Sequence, residues 1–204
     1  MKISKAKRLL ILGVILVVID QVIKILVKTN MQIGEHFSVI GNWFQIFFIE
    51  NEGMAFGMKF GGAVGKFLLS FFRIALFGVL CWWIASLARK SVDSSGKPAV
   101  PAGVLVGLTM ITAGAFGNII DSLFYGVIFD YAPLMFGRVV DMLYFPLIDT
   151  TWPAWVPFVG GERLLFFAPV FNFADSCVTV GAFYLILFQN RFFTREAPAS
   201  SDTH

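Results

Sequence analysis

Phe171-Asn172-Phe173-Ala174-Asp175-Ser176 sets a carboxamide and a carboxylate into the start of residues 166–188, a segment otherwise almost entirely apolar. As a helix, a segment of that length is long enough to cross the ~30 Å hydrocarbon core of a bilayer. Asn172 and Asp175 stand three apart, so on such a helix they share one face. A charge facing hydrocarbon is costly, so that face must turn to the protein interior or to a wet cavity. Asp175 therefore needs a partner upstream, and the fold is expected to supply it.

The chain has 204 residues, 57% hydrophobic and 14% charged, with a mean hydropathy of +0.78. A soluble domain is about 45–50% apolar and about 25% charged. The expectation is one integral membrane domain over residues 1–204, with membrane lipids as partners. The net charge of +3 is too small and too dispersed to suggest nucleic acid. Cys81 and Cys177 both lie inside apolar runs, which favours packing roles over a disulfide or a metal pair.

Lys2, Lys5, Lys7 and Arg8 precede an apolar run over residues 9–27. The run is too long for a signal peptide and no small-residue cleavage site follows it, so it reads as a first transmembrane helix. Asp20 and Lys24 are i,i+4 with the acid first, the favourable order for a helical ion pair. One reading is a structural pair with Lys24 snorkelling to the interface; the other is a part in an active site. Residues 43–50 have strand character and suit a short hairpin at the membrane surface. They lead into Asn51-Glu52-Gly53-Met54-Ala55-Phe56-Gly57, where the glycines suggest a tight turn.

Further spans are expected over residues 63–87 and 100–120, the third rich in Gly, Ala and Thr as in a close helix interface. The third ends at Asn118 and Asp121, which repeat the spacing of Asn172 and Asp175. A long connection over residues 123–163 carries Arg138 and Asp141, and its Pro- and Trp-rich second half is expected to be irregular. After the fourth span, residues 197–204 read as a disordered tail. The expected fold is thus an all-α membrane protein, four transmembrane helices with a small extracytoplasmic β-sheet element.

Orientation follows from Lys and Arg. The two termini and the loop holding Arg89, Lys90 and Lys97 carry nine of them, whereas the two long connections carry four: Lys28, Lys59, Arg138 and Arg163. Positive-inside logic puts both termini in the cytoplasm. Asn51, Asn118, Asp121, Asp141 and Asp175 then all fall near the outer face.

These are carboxylates and amides. His36 and His204 lie away from the apolar motifs, so no zinc site is expected. No serine stands in a nucleophile elbow and no glycine-rich loop precedes a helix. Two carboxylates in a low-dielectric site cannot both ionise easily, and a pair holding one proton can act as base and acid together. Asp175 is one member; Asp121 and Asp141 compete for the other place. An ion-coupled carrier, or a metal-dependent lipid-head-group transferase using the aspartates for Mg²⁺, is the rival reading.

Asp20-Gln21-Val22-Ile23-Lys24, the Asn51–Gly57 block, Gly117-Asn118-Ile119-Ile120-Asp121, Val139-Val140-Asp141 and Phe171-Asn172-Phe173-Ala174-Asp175 occur in this order. Together they closely resemble the signature blocks of bacterial lipoprotein signal peptidase (signal peptidase II, prolipoprotein signal peptidase). The resemblance implies an aspartic endopeptidase of the bacterial inner membrane, with its site near the outer face. Its substrate would be a prolipoprotein bearing a diacylglyceryl-cysteine, cut just before that cysteine. It further implies a catalytic pair of Asp141 and Asp175; no cofactor and no metal are expected, and the expected state is a monomer. Asp20, Lys24, Asn51, Gly53, Asn118, Asp121 and Asn172 match supporting or substrate-binding positions. Two departures stand out. Ser122 occupies the place where the family usually has arginine, and Arg138 is a candidate to supply that cation. The Pro- and Trp-rich piece around residues 146–161 is surplus, either a surface element beside the site or a tolerated insertion.

Overall fold

A computed structural model describes residues 4–52, 62–89, 100–167 and 169–188. Helix α1 (Lys5–Asn30) opens on Ser4, whose hydroxyl accepts from the Lys7 amide and so satisfies one of the unpaired N–H groups of the first turn. Strands β1 (His36–Ile40) and β2 (Phe44–Asn51) form an antiparallel hairpin. Helix α2 (Gly62–Arg89) follows, then α3 (Ala102–Ile120). The chain stays helical past Ile120, through a π-helical turn (Asp121–Tyr125) and a short α4 (Gly126–Ile128).

Strand β3 (Val139–Tyr144) pairs antiparallel with β2, and β6 (Val170–Phe171) pairs with β3, giving a sheet ordered β1-β2-β3-β6. Between β3 and β6, strands β4 (Ile148–Thr151) and β5 (Arg163–Phe166) make a separate two-stranded hairpin. Helix α5 (Phe173–Leu187) closes the described chain.

Three of the described helical segments are long and apolar enough to cross a membrane: Lys5–Asn30, Gly62–Arg89 and Ala102–Ile128. Helix α5 is equally apolar but has 15 described residues, about 22 Å of helix. The fourth span expected over residues 166–188 starts later than its hydrophobicity suggested, because Phe166 ends β5, Val170 and Phe171 form β6, and Asn172 is extended (φ −121°, ψ 179°).

Helix α3 lies at the centre, packed on α1, α2 and α5. Small residues allow this: a Cβ on Gly114 would lie 2.3 Å from the Ala174 carbonyl oxygen, and one on Gly117 would lie 2.4 Å from Oδ2 of Asp20. Helix α2 turns Phe67, Leu68, Phe71, Phe72, Val79 and Trp82 outward and buries only Ser70, as suits a helix facing lipid. On β3, Val140 and Met142 join Val27, Phe48 and Tyr125 in a buried cluster that seats the sheet on α1 and the π-helical turn. Side chains alternate along a strand, so Asp141 points to the opposite face from that cluster.

Candidate active site

Helix α5 begins with a reciprocal cap. Asn172 Oδ1 accepts from the Asp175 amide at 2.9 Å, and Asp175 Oδ2 accepts from the Asn172 amide at 3.3 Å. The spacing of three that would place both on one helical face instead builds a capping box, with Asn172 outside the helix. This leaves the Asn172 amide nitrogen for other work. It donates to Asp141 Oδ1 at 2.6 Å and to Asn118 Oδ1 at 3.1 Å. Asn118, on the last turn of α3, donates to Asp175 Oδ1 at 2.8 Å. Asn51, at the end of β2, donates to Asp141 Oδ2 at 3.3 Å. Two carboxylates from β3 and α5 are thus held by three carboxamides.

Asp141 is 2% exposed. Burial pushes its carboxyl up to about 7, and the charge of Asp175 adds to the rise; hydrogen bonds from Asn172 and Asn51 act the other way. A buried acid beside a second acid retains its proton in this way.

Beneath the pair lies a fully buried ionic network. The Lys24 ammonium contacts Asp20 Oδ2 at 2.9 Å, Asp121 Oδ2 at 2.7 Å and Asn118 Oδ1 at 2.8 Å, so all three of its protons are used. Each acid then grips a neighbour. Asp20 Oδ1 accepts from the Ala174 amide at 2.9 Å, in the first turn of α5, and Asp121 Oδ2 accepts from the Val140 amide at 3.3 Å, on β3. The network therefore holds the two segments that carry Asp175 and Asp141. Lys24 does not snorkel: it is 0% exposed, because its partners lie inside, on α3 and the turn after it.

The site brings together Asp20, Lys24, Asn51, Asn118, Asp121, Asp141, Asn172 and Asp175. Gly53 lies outside the described residues. Arg138 is directed elsewhere, donating to Glu50 Oε2 at 3.2 Å, a carboxylate that also pairs with Lys28. It is Arg73, on α2, that reaches position 122, donating to Ser122 Oγ at 3.1 Å.

Three participants were not singled out by the sequence reading. Gln21 bonds Asp20, Asp121 and the Gly117 carbonyl, and accepts from the Tyr125 hydroxyl at 3.1 Å. Arg73 lies within the span expected over residues 63–87, where a lone guanidinium is itself a signal of function. Among the described residues, no three His, Cys, Asp or Glu side chains gather as a metal site, and Lys24 fills the position between Asp20 and Asp121. Cys81 and Cys177 are both free thiols.

A multi-pass membrane protein in which carboxamides hold a buried Asp141 and a half-buried Asp175 is the class that this architecture defines. The chain belongs to the signal peptidase II family, whose model matches residues 12–191. A lipoprotein signal peptidase of Porphyromonas gingivalis is 45% identical over 201 aligned residues, covering 91% of this chain and 84% of the relative. One from Amoebophilus asiaticus is 38% identical, covering 86% and 75%. Two solved structures described as bacterial membrane enzymes, determined by the in meso method at 2.3 Å and 1.9 Å, share the fold. Their TM-scores are 0.57 and 0.58 at 23% and 25% identity, covering 93% of both chains in the first case and 89% and 92% in the second.

Proposed function

We propose that the chain is an aspartic endopeptidase that removes the signal peptide of diacylglyceryl-modified prolipoproteins immediately before the lipidated cysteine. The observation that carries the reading is the single side chain of Asn172, whose Nδ2 donates to Asp141 and whose Oδ1 accepts from the Asp175 amide, capping the helix that carries Asp175. In this reading the arrangement presents both carboxyl groups to one water and one scissile carbonyl. The pair shares a proton. Its ionised member takes a proton from the water as the oxygen attacks, and its protonated member gives a proton to the carbonyl oxygen. Proton return to the leaving amine breaks the C–N bond and frees the cysteine amine of the lipoprotein.

Asp20, Lys24 and Asp121 hold the pair rather than react, and Asn118 and Asn51 orient its oxygens. Gly53 and Arg138, which flank Asn51 and Glu50 in sequence or contact, support the substrate-facing edge. The apolar part of the signal peptide has a place to lie. A cavity of about 540 Å³ runs between α1, α2 and α3, lined by Leu10, Val14, Val17, Phe77 and Phe116 among others. Val17 and Phe116 are within one helical turn of Asp20 and Gly117 in sequence, and in this reading the peptide runs along the groove towards the site.

In this reading α5 is the fourth span and the enzyme acts as a monomer in the bacterial inner membrane. The pair sits towards the outer face, at the end of α1 away from Lys5, Lys7 and Arg8. A carrier fits less well, since the acids gather at one end. A Mg²⁺-dependent transferase fits less well because an ammonium and amides already occupy the acids.

The test is to incubate the purified protein with a prolipoprotein with and without its diacylglyceryl group and to map the cut by mass spectrometry. One cut just before the cysteine, only on the modified substrate and insensitive to chelator, is expected. Cleavage elsewhere, or loss with chelator, would overturn the reading.

A further inference from the structure

We infer that Arg73 is a positioning residue that fixes the negative charge of the carboxyl pair on Asp175, leaving the shared proton on Asp141. The inference rests on the aspartic-pair reading given above.

A guanidinium in a membrane helix must face protein or water. On α2 the flanking Phe71, Phe72 and Ile74 are exposed, whereas Arg73 is half-buried and turned towards α3. Its Nη1 donates to Ser122 Oγ at 3.1 Å, Ser122 Oγ donates to the Asn118 carbonyl at 2.9 Å, and Asn118 Nδ2 donates to Asp175 Oδ1 at 2.8 Å. Arg73 is thereby connected through Ser122 to Asn118, the residue that donates to Asp175. Asp121 already has the Lys24 ammonium at 2.7 Å. The charge that Arg73 balances is therefore that of Asp175.

The surroundings of the two acids differ accordingly. Around Asp175, Asp141 comes from β3 and Arg73 from α2, and the Asp20, Lys24 and Asp121 network lies behind Asn118 and Ala174. The cation acting on Asp141 is Lys24, which Asp20 and Asp121 already share. An uneven field of this kind decides which member of a coupled pair ionises. Asp175 then takes the proton from water while the new C–O bond forms, and Asp141 protonates the carbonyl oxygen. On collapse Asp175 passes its proton to the leaving nitrogen as the C–N bond breaks, and a hydroxyl of the intermediate returns a proton to Asp141.

The position of Ser122 explains why the cation comes from α2. Its hydroxyl accepts from the Arg73 head at 3.1 Å, so an arginine at 122 would set a second guanidinium against the first.

The test measures kcat and KM on diacylglyceryl-modified prolipoprotein between about pH 5 and pH 9 for the parent, Arg73→Gln, Ser122→Ala, Arg73→Gln with Ser122→Arg, and Asp141→Asn. Arg73→Gln is expected to lose about 10²-fold in kcat with little change in KM, and its acid limb should move to higher pH. Ser122→Ala, which deletes only the hydroxyl holding Arg73, should move the limb the same way by less. The double variant should regain rate and return the limb. An Arg73→Gln enzyme with the parent's kcat and pH profile, or a Ser122→Ala profile that does not move, overturns the role of Arg73. Were Asp141→Asn active, the aspartic pair itself would fail instead, so the two outcomes are separable.

Discussion

Asn172 donates its amide nitrogen to Oδ1 of Asp141 at 2.6 Å across 31 residues of sequence, and the same side chain caps the helix that carries Asp175. One residue thus does a folding job and a site job, and substitution can separate them. Serine caps a helix about as well as asparagine but is too short to reach Asp141. Asn172→Ser should keep a thermal midpoint close to the parent's while kcat falls about 10²-fold, the scale of a misplaced reacting group. Asn172→Ala should lose both rate and about 1 kcal/mol of stability. Parallel kinetic and unfolding measurements in detergent check this; equal rates for Asn172→Ser and the parent would show the contact to be idle.

Lys24 sits fully buried between two acids. Removing one partner of a buried ionic group typically costs about 3–5 kcal/mol, because the remaining charges are left uncompensated. Lys24→Met should therefore lower the unfolding midpoint sharply and abolish cleavage together. Asp20→Asn should be milder, since Asp121 and Asn118 still hold the ammonium. A Lys24→Met protein as stable as the parent would refute the view that this network holds α5 and β3 in place.

The carboxyl of Asp141, raised to about 7, makes a double prediction about pH. If its proton is needed for catalysis, the rate falls as pH rises through about 7. Stability follows the same sign: the folded protein retains that proton from the unfolded carboxyl value near 3.8 up to about 7, so this group's contribution declines across that window. Asp141→Asn removes the ionisation and should be more stable than the parent at pH 8, though inactive. Unfolding midpoints at pH 5 and pH 8 for both proteins test it. A variant less stable than the parent at pH 8 would count against the burial argument.

Gly117 and Gly114 set the approach of α3 to its neighbours. A methyl group on Gly117 would meet the Asp20 carboxylate at 2.4 Å, so Gly117→Ala should displace that side chain from Lys24 and the Ala174 amide and lower kcat. On Gly114 the obstacle is backbone, the Ala174 carbonyl at 2.3 Å, so Gly114→Ala should separate α3 from α5 and lower both stability and rate. By contrast, Asp149 and Arg163 join only β4 to β5 through two contacts at 2.6 and 2.7 Å, in the open. Asp149→Asn should leave cleavage and the unfolding midpoint unchanged, as exposed ion pairs generally do.

Local patterns were readable where local physics rules. The apolar runs expected over residues 9–27 and 63–87 lie within α1 and α2, which extend further because a helix does not stop at its last apolar residue. The strand character of residues 43–50 matches β2. Where the reading slipped, distant partners were responsible. The third helix continues to Ile128 because Asp121, which looked like an end, is paired with Lys24 and costs the helix nothing. Phe166, Val170 and Phe171 are apolar enough for either helix or strand, and pairing with Ile148 on β4 and with Tyr144 and Leu143 on β3 decides for strand. Pro169 and the Asn172/Asp175 spacing were signals for a later helix start. Which acid faces Asp175 was not legible from spacing alone. It depends on β3, whose alternation turns Asp141 towards Asn172, while Asp121 turns to Lys24.

The most direct measurement is cleavage of a diacylglyceryl-modified prolipoprotein by purified Asp141→Asn and Asp175→Asn variants, with unfolding midpoints taken on the same samples. Both variants are expected to fold and to leave the substrate uncut. A folded variant that cuts at the parent's rate, with either aspartate replaced, would contradict the account.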